Sequence, residues 1–209
     1  MSKLPVKKET GRIPDRLLKR HNARVIIVEK GQTVFREGES ANSFFVVKRG
    51  KVKMVNVSKE GKEFVQGYFS EGESFGEPPF FTEERYPASA IAVTPGEIWK
   101  IGRIDFLRLL RENFAVHLDM TRALGLRLIF KSIMLSEIAI EEAEHRVRTL
   151  LNYLRESSRG DRKAVVVPFS RQQLADMSGL RVETVIRIVK NLESKKIVKL
   201  TNDGKIMVE

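Results

Sequence analysis

The sequence predicts an α+β chain in three parts: an antiparallel β-roll, a long helix, and a helix-turn-helix followed by a two-stranded wing. Three patterns predict it. Between Arg24 and about Ile101, short apolar runs are punctuated by glycine turns. After Gly102 the apolar spacing lengthens to that of helices, leading into a proline-free stretch from Phe114 to about Glu137. The last stretch holds two short helical patterns around Gly179 and a hairpin signal at Asn202-Asp203-Gly204. The expected boundaries are a basic segment over 1–23, the roll over 24–113, the long helix over 114–137 and the winged domain over 138–209.

In the roll, VIIVEKGQTVFREGES reads as strand, turn, strand, with Lys30-Gly31 at the bend. FFVVKRGKVKMVNVSKEGKEFVQGYF repeats the device at Arg49-Gly50 and at Glu60-Gly61. Alternation through Lys51-Val52-Lys53-Met54-Val55 marks a half-buried strand, and ASAIAV and EIWKI add two more across Thr94-Pro95-Gly96. Strands this short, with turns this regular, suit a small barrel or jelly roll whose edges are managed by closure.

The segment from Asp105 to Leu110 is helical, and the long helix follows. Its apolar positions Phe114, Leu118, Leu124, Leu128 and Leu135 fall near heptad spacing. A second row includes Ala123, Phe130 and Met134. A helix that is apolar on two sides must bury both, and a seam between two copies of the chain covers the second. Gly125 weakens such a helix by up to about 1 kcal/mol relative to alanine unless close packing needs it.

Beyond it, EEAEHRVRTLLNYLRESS is amphipathic and runs into a polar loop from Ser157 to Lys163, after which VVVPFS is a short strand. Ser170 is placed to cap RQQLADMSG, Gly179 closes that helix, and VETVIRIVKNLESKK is the next. Leu174, Ala175 and Leu180 pack the turn. Val185, Ile188, Val189 and Leu192 form the buried stripe of the second helix. Its opposite face carries Glu183, Thr184, Arg187 and Lys190.

The net charge is +11, and its distribution is uneven. Residues 1–24 carry a net +6, residues 25–100 a net −1, residues 101–140 a net +2 and residues 141–209 a net +4. A basic tail and a basic C-terminal third around a neutral middle suit a polyanionic partner. The helix N-terminus with Glu183, Thr184 and Arg187 is the end that a recognition helix offers to the major groove. Arginine bonds guanine O6 and N7 together, and glutamate accepts from cytosine N4. The other reading of Glu183 and Arg187 is an i, i+4 ion pair on a solvated helix.

KGQTVFREGES, FFVVKRGKVKM and FGEPPFF resemble the sensory β-roll of the cyclic-AMP receptor protein / fumarate–nitrate regulator (CRP/FNR) family. RTLLNYL, RQQLADMSGLRVETVIRIVKNLESKKIV and the wing resemble its DNA-binding domain, and the order of parts agrees over nearly the whole chain. The resemblance implies a cytoplasmic transcription regulator that binds a palindromic operator as a homodimer through the long helix and works with RNA polymerase. It implies base reading by Glu183 and Arg187, and contacts to the DNA backbone by Arg171, Gln172, Thr184 and Lys190. Val182-Glu183-Thr184 is closer to the oxygen-sensing branch, which favours a TTGA-type half-site over TGTGA, and Ile186 stands where that branch has serine.

The resemblance also implies an effector pocket at Gly76, Glu77, Ala88, Ser89, Phe130 and Lys131. In relatives that bind cyclic nucleotides, a short helix N-terminus and a following Arg-Ser pair hold the cyclic phosphate. Here Gly76 and Glu77 match the start, the glutamate being the ribose-hydroxyl ligand. Pro78 and Pro79 follow, and proline has no N–H to donate. The Arg-Ser pair is replaced by Pro87-Ala88, with Ser89 one place late and Arg85 two places early. The Thr-Ser pair that contacts adenine falls near Phe130 and Lys131. The expected protein therefore does not respond to cyclic AMP.

The chain has no cysteine, which excludes disulfides, thiolate-held iron–sulfur clusters and cysteine-based zinc sites. Haem would need His21, His117 or His145 as an axial ligand, and none lies within the predicted roll, so all three are expected to be surface or packing residues. A cupin-type metal enzyme needs histidines on barrel strands, and residues 25–100 contain none. No nucleophile–base arrangement is visible either, so no enzyme and no metal site are expected. The alternatives are a cyclic-nucleotide-responsive or haem-based regulator and a regulatory module acting through protein contacts, and the effector is left unassigned. The basic start lacks the apolar core of a secretory signal, and no run reaches the 18 or so apolar residues of a membrane span.

Overall fold

The computed structural model describes residues 11–61, 63–158 and 164–208. Residues 1–10 of the basic segment and most of the polar loop ending at Lys163 lie outside the described residues. The chain divides into two compact units, Thr10–Arg122 and Ala123–Glu209, so the division falls inside the long helix.

The first unit opens on a short helix, α1 (Asp15–Arg20), that no sequence pattern had announced. The strands β1 (Arg24–Val28), β2 (Thr33–Phe35), β3 (Ser43–Arg49), β4 (Val52–Val57), β5 (Glu63–Phe69) and β6 (Ser74–Phe75) follow. Next come α2 (Glu77–Thr82), β7 (Ser89–Ala92), β8 (Gly96–Gly102) and α3 (Arg103–Glu112). The strands form two antiparallel four-stranded sheets, in the orders β1-β8-β3-β6 and β2-β7-β4-β5.

The sequence reading took Lys30-Gly31, Arg49-Gly50 and Thr94-Pro95-Gly96 as strand-turn-strand bends. Only the bend at Glu60-Gly61 closes a hairpin between paired strands, β4 and β5. At each of the other three the chain crosses from one sheet to the other. Gly50 shows why such a corner needs glycine. Its φ is +98°, and a Cβ there would stand 2.9 Å from the Pro95 carbonyl oxygen.

An aromatic core fills the space between the sheets and under α3. Phe44 stacks on Phe106 with centroids 3.8 Å apart, and Phe80 meets Phe106 edge to face at 5.4 Å. His21, at the end of α1, is buried; its ring nitrogens lie 2.8 Å from the Leu17 carbonyl and 3.1 Å from the Glu112 carboxylate. It is a packing histidine that ties α1 to the end of α3.

The long helix α4 runs Phe114–Ile140, three residues beyond the expected end. Its two faces differ sharply. Met120, Ala123 and Met134 are buried, and Phe130 stacks on Tyr153 at 3.7 Å. Phe114, Leu118, Leu128 and Leu135 are exposed, Leu128 at 67% and Leu135 at 68%.

In the second unit α4 is followed by α5 (Ala143–Ser158), β9 (Val165–Val166), α6 (Arg171–Ser178), α7 (Val182–Ser194), β10 (Val198–Leu200) and β11 (Ile206–Val208). The three strands form one antiparallel sheet in the order β10-β11-β9. Its core gathers Val147, Leu150, Leu151 and Leu154 of α5, Leu174 and Ala175 of α6, and Val185, Ile188, Val189 and Leu192 of α7.

Candidate nucleic-acid interface

The helix-turn-helix is set by local chemistry at both ends of α6. The Ser170 hydroxyl accepts from the Gln173 N–H at 3.2 Å, and the Gln173 side-chain oxygen accepts from the Ser170 N–H at 2.9 Å. This capping box satisfies two of the N–H groups that a helix start leaves without partners. At the other end Gly179 adopts the left-handed conformation, and the Leu180 N–H returns to the Ala175 carbonyl at 3.1 Å. The buried Ser178 hydroxyl donates to Leu174 O at 2.7 Å, which lets a polar side chain sit inside the turn.

Helix α7 is clamped from its far end. Glu144 of α5 accepts from Asn191 at 2.6 Å and pairs with Lys195 at 2.8 Å. The Lys195 hydrogen bond holds the Glu144 carboxyl below the usual carboxylate range. With its inner stripe in the core, α7 turns Glu183, Arg187 and Lys190 to the exposed side, while Thr184 is half-buried on the flank. No ion pair joins Glu183 to Arg187 among the described residues, so both ends remain open to another partner.

The expected backbone-contacting residues on α6 have fewer free groups. Arg171 is half-buried; burial lowers its pKa and the nearby Glu193 charge opposes that shift. The Gln172 amide donates to Asp176 at 2.7 Å, a bond it must exchange to reach a phosphate. The wing adds exposed groups that the sequence reading did not include. The Thr201–Lys205 turn is closed by the Thr201 and Gly204 N–H groups, at 2.9 and 2.8 Å from their acceptors. The exposed tip carries Asn202 and Lys205, while Lys205 also pairs with Asp203 at 2.6 Å. A cation at the tip of a predicted hairpin was the available signal.

In the roll, the expected effector residues Gly76, Glu77 and Ala88 are buried and Ser89 is half-buried. Gly76, with φ +79°, precedes α2; a Cβ on it would meet the Phe35 ring at 3.1 Å and the Tyr86 ring at 3.2 Å. Phe35 stacks on Tyr86 at 3.7 Å, and the Tyr86 hydroxyl donates to Ser43 O at 3.0 Å. Glu77 is buried and accepts from the Ser74 hydroxyl. Ala88 is buried, and the Ser89 hydroxyl accepts from the Glu37 N–H at 3.0 Å. Arg85 donates to Gly38 O at 2.7 Å. Phe130 and Lys131 belong to the second unit, where the Phe130 ring is committed to Tyr153 and Lys131 is exposed. The sequence reading missed Phe35 and Tyr86, 51 positions apart, because nothing local links them.

The remaining histidines are placed as follows. His117 is exposed, and the His145 Nδ1 lies 2.7 Å from Glu137. Among the described residues no group of three or more His, Cys, Asp or Glu is arranged to hold a metal ion, and no helix is long and apolar enough to cross a membrane.

Two domain families match this architecture. The cyclic nucleotide-binding domain matches residues 25–113, and the Crp-like helix-turn-helix domain matches residues 145–209. The cyclic AMP receptor protein of Thermus thermophilus is 29% identical over 172 residues, covering 82% of this chain and 77% of that protein. The cAMP-activated global transcriptional regulator CRP of Pasteurella multocida is 29% identical over 169 residues, covering 79% of this chain and 81% of that one. The solved structure of FixK2 from Bradyrhizobium japonicum shares the fold, with a TM-score of 0.73 at 19% identity over 90% of this chain and 92% of that one. Together the two domain families span most of the sequence in the order of its two units. The chain belongs to the CRP/FNR family of DNA-binding transcription regulators.

Proposed function

We propose that this regulator binds a palindromic operator as a homodimer, reads bases with Glu183 and Arg187, and does so without cyclic AMP. The observation that carries the reading is the N-terminal half of α7. A carboxylate and a guanidinium stand exposed and unpaired with each other, on a helix whose opposite face is fixed in the core. In the major groove, that pair matches cytosine N4 and guanine O6/N7. Arg171, Gln172, Thr184 and Lys190 take the phosphates on either side and set the register.

The bare side of α4 supports the dimer. Phe114, Leu118, Gly125, Leu128 and Leu135 all lie exposed along one heptad stripe. A Cβ on Gly125 would meet nothing within 4 Å in the single chain, so the fold of one copy does not demand glycine there. Close approach of a second helix does. Such a dimer presents its two recognition helices to half-sites about 34 Å apart, one turn of DNA.

Two features around α2 support independence from cyclic AMP. The prolines of α2 remove N–H donors where an anion would bind, and Phe35 with Tyr86 takes up the space beneath Gly76. The regulator acts by binding rather than catalysis, in the cytoplasm and with RNA polymerase.

Fluorescence anisotropy with the full chain tests the DNA reading. Titration of a selected palindrome against scrambled duplex should show a large preference, and affinity should fall steeply with salt because phosphate contacts release counterions. Equal affinity for both duplexes contradicts it.

A further inference from the structure

Arg146 reaches two separate helix ends with one side chain. From the first turn of α5 its guanidinium donates to the Ser178 carbonyl at 3.3 Å, and to the Ile138 and Glu141 carbonyls at 3.4 and 3.5 Å. Ser178 is the last residue of α6, at the turn of the helix-turn-helix, while Ile138 and Glu141 stand at the end of α4. The last carbonyls of a helix lack partners within it and carry the negative end of its dipole, so one cation serves both ends. The side chain is half-buried, and its Nε is buried with no hydrogen-bond partner among the described residues. A donor left unmatched costs stability, which the bridge between the two helix ends has to outweigh.

The joint it spans is short. α4 ends at Ile140 and α5 begins at Ala143, with Glu141 and Glu142 between them. The preceding side chain fastens the same turn of α4 from another direction: the His145 Nδ1 lies 2.7 Å from the Glu137 carboxylate and 3.8 Å from that of Glu141. His145 holds α4, whereas Arg146 reaches α6 as well. A planar guanidinium presents its donors in a fixed fork, so the carbonyls of the two helix ends are held in one arrangement. Turning α6 and α7 relative to the end of α4 must break part of it.

We propose that Arg146 is a positioning residue: it fixes the angle of the helix-turn-helix to α4, and thereby the half-site spacing that the dimer accepts. This rests on the dimer reading given above, in which α4 forms the seam and α7 enters the major groove. Arg146 needs no contact with DNA to act in this way. It sets the distance between two base-reading surfaces, a selectivity that Glu183 and Arg187 do not supply.

The experiment changes only the spacing. An inverted repeat is first selected from random duplex by the full-length wild-type protein. Binding is then measured on that operator with one base pair added to its centre or removed from it. Each step shifts a half-site by about 3.4 Å and turns it by about 35° while leaving the half-site sequences intact. The wild type should lose affinity by on the order of tenfold. In Arg146→Gln the same change should cost only about twofold, because the freed joint lets each domain follow its half-site. Arg146→Lys keeps the charge but not the fork, and should also fall short of the wild-type penalty. Either variant that keeps the wild-type circular dichroism spectrum carries the test. Val198→Ala, which loosens the core of the second unit without touching the bridge, should keep the full penalty. An undiminished penalty in the Arg146 variants, or an equal relaxation in Val198→Ala, overturns the proposal. Failure of the wild type to select an inverted repeat overturns the dimer reading itself, and this proposal with it.

Discussion

The rings of Phe35 and Tyr86 lie stacked 3.7 Å apart, directly under the backbone of Gly76. The two residues are 51 positions apart in the sequence and meet beside Gly76, one of the expected effector residues. Isothermal titration of the protein with cyclic AMP should give no saturable heat at micromolar concentrations. Phe35→Ala should destabilise the protein by about 3–5 kcal/mol in urea unfolding, the cost of emptying a buried aromatic site. Micromolar binding by the wild type contradicts independence from cyclic AMP, and a loss within error of zero for the variant contradicts the packing role of Phe35.

Burial also raises the Tyr86 phenol to about 12, against an ordinary value of 10. Its stabilising contribution is whole below about pH 10 and is lost as pH rises through 12, because the unfolded chain gives up that proton first. Alkaline absorbance titration should show one of the three tyrosines ionising last. Tyr86→Phe should remove that late component. Its persistence in the variant assigns the shift to another tyrosine.

Arg187→Ala should weaken operator binding by about 1–3 kcal/mol and relax the preference at one guanine. Binding to a set of single-base operator variants measures both effects. A uniform loss on every sequence makes Arg187 a phosphate contact instead.

Ser170→Ala removes one half of the capping box and should lower stability by about 1 kcal/mol, while Ser170→Asp should keep most of it. The midpoint of thermal unfolding by circular dichroism checks the pair. Equal midpoints for serine and alanine would mean the cap has no energetic consequence.

Leu128→Asp places a charge in the exposed heptad stripe of α4 and should yield monomers by light scattering, with weakened operator binding. A stable dimer removes α4 as the seam.

What could be read from the sequence follows the range of the interactions. The helix-turn-helix was legible because its determinants lie within a few residues of each other: Ser170 with Gln173, Ala175 with Leu180, and the 3.6-residue stripe from Val185 to Leu192. The strands of the roll were legible as strands but not as sheets. β1 pairs with β8, some 70 positions away, and the glycine bends look alike whether they close a hairpin or carry the chain across the core. The aromatic filling was invisible for the same reason, and α1 was hidden because only Leu18 along it is buried. The stacking of Phe130 on Tyr153 was hidden too, since sequence order cannot say which face of a doubly apolar helix meets Tyr153.

The central claim is that α7 reads bases from a symmetric dimer. Selection of full-length protein against random duplex DNA, followed by sequencing of the bound fraction, tests it most directly. The account predicts an inverted repeat whose half-site centres lie one helical turn apart and which contains an invariant guanine that Arg187→Ala no longer selects. Recovery of unrelated sequences, or of a single unrepeated motif, contradicts it.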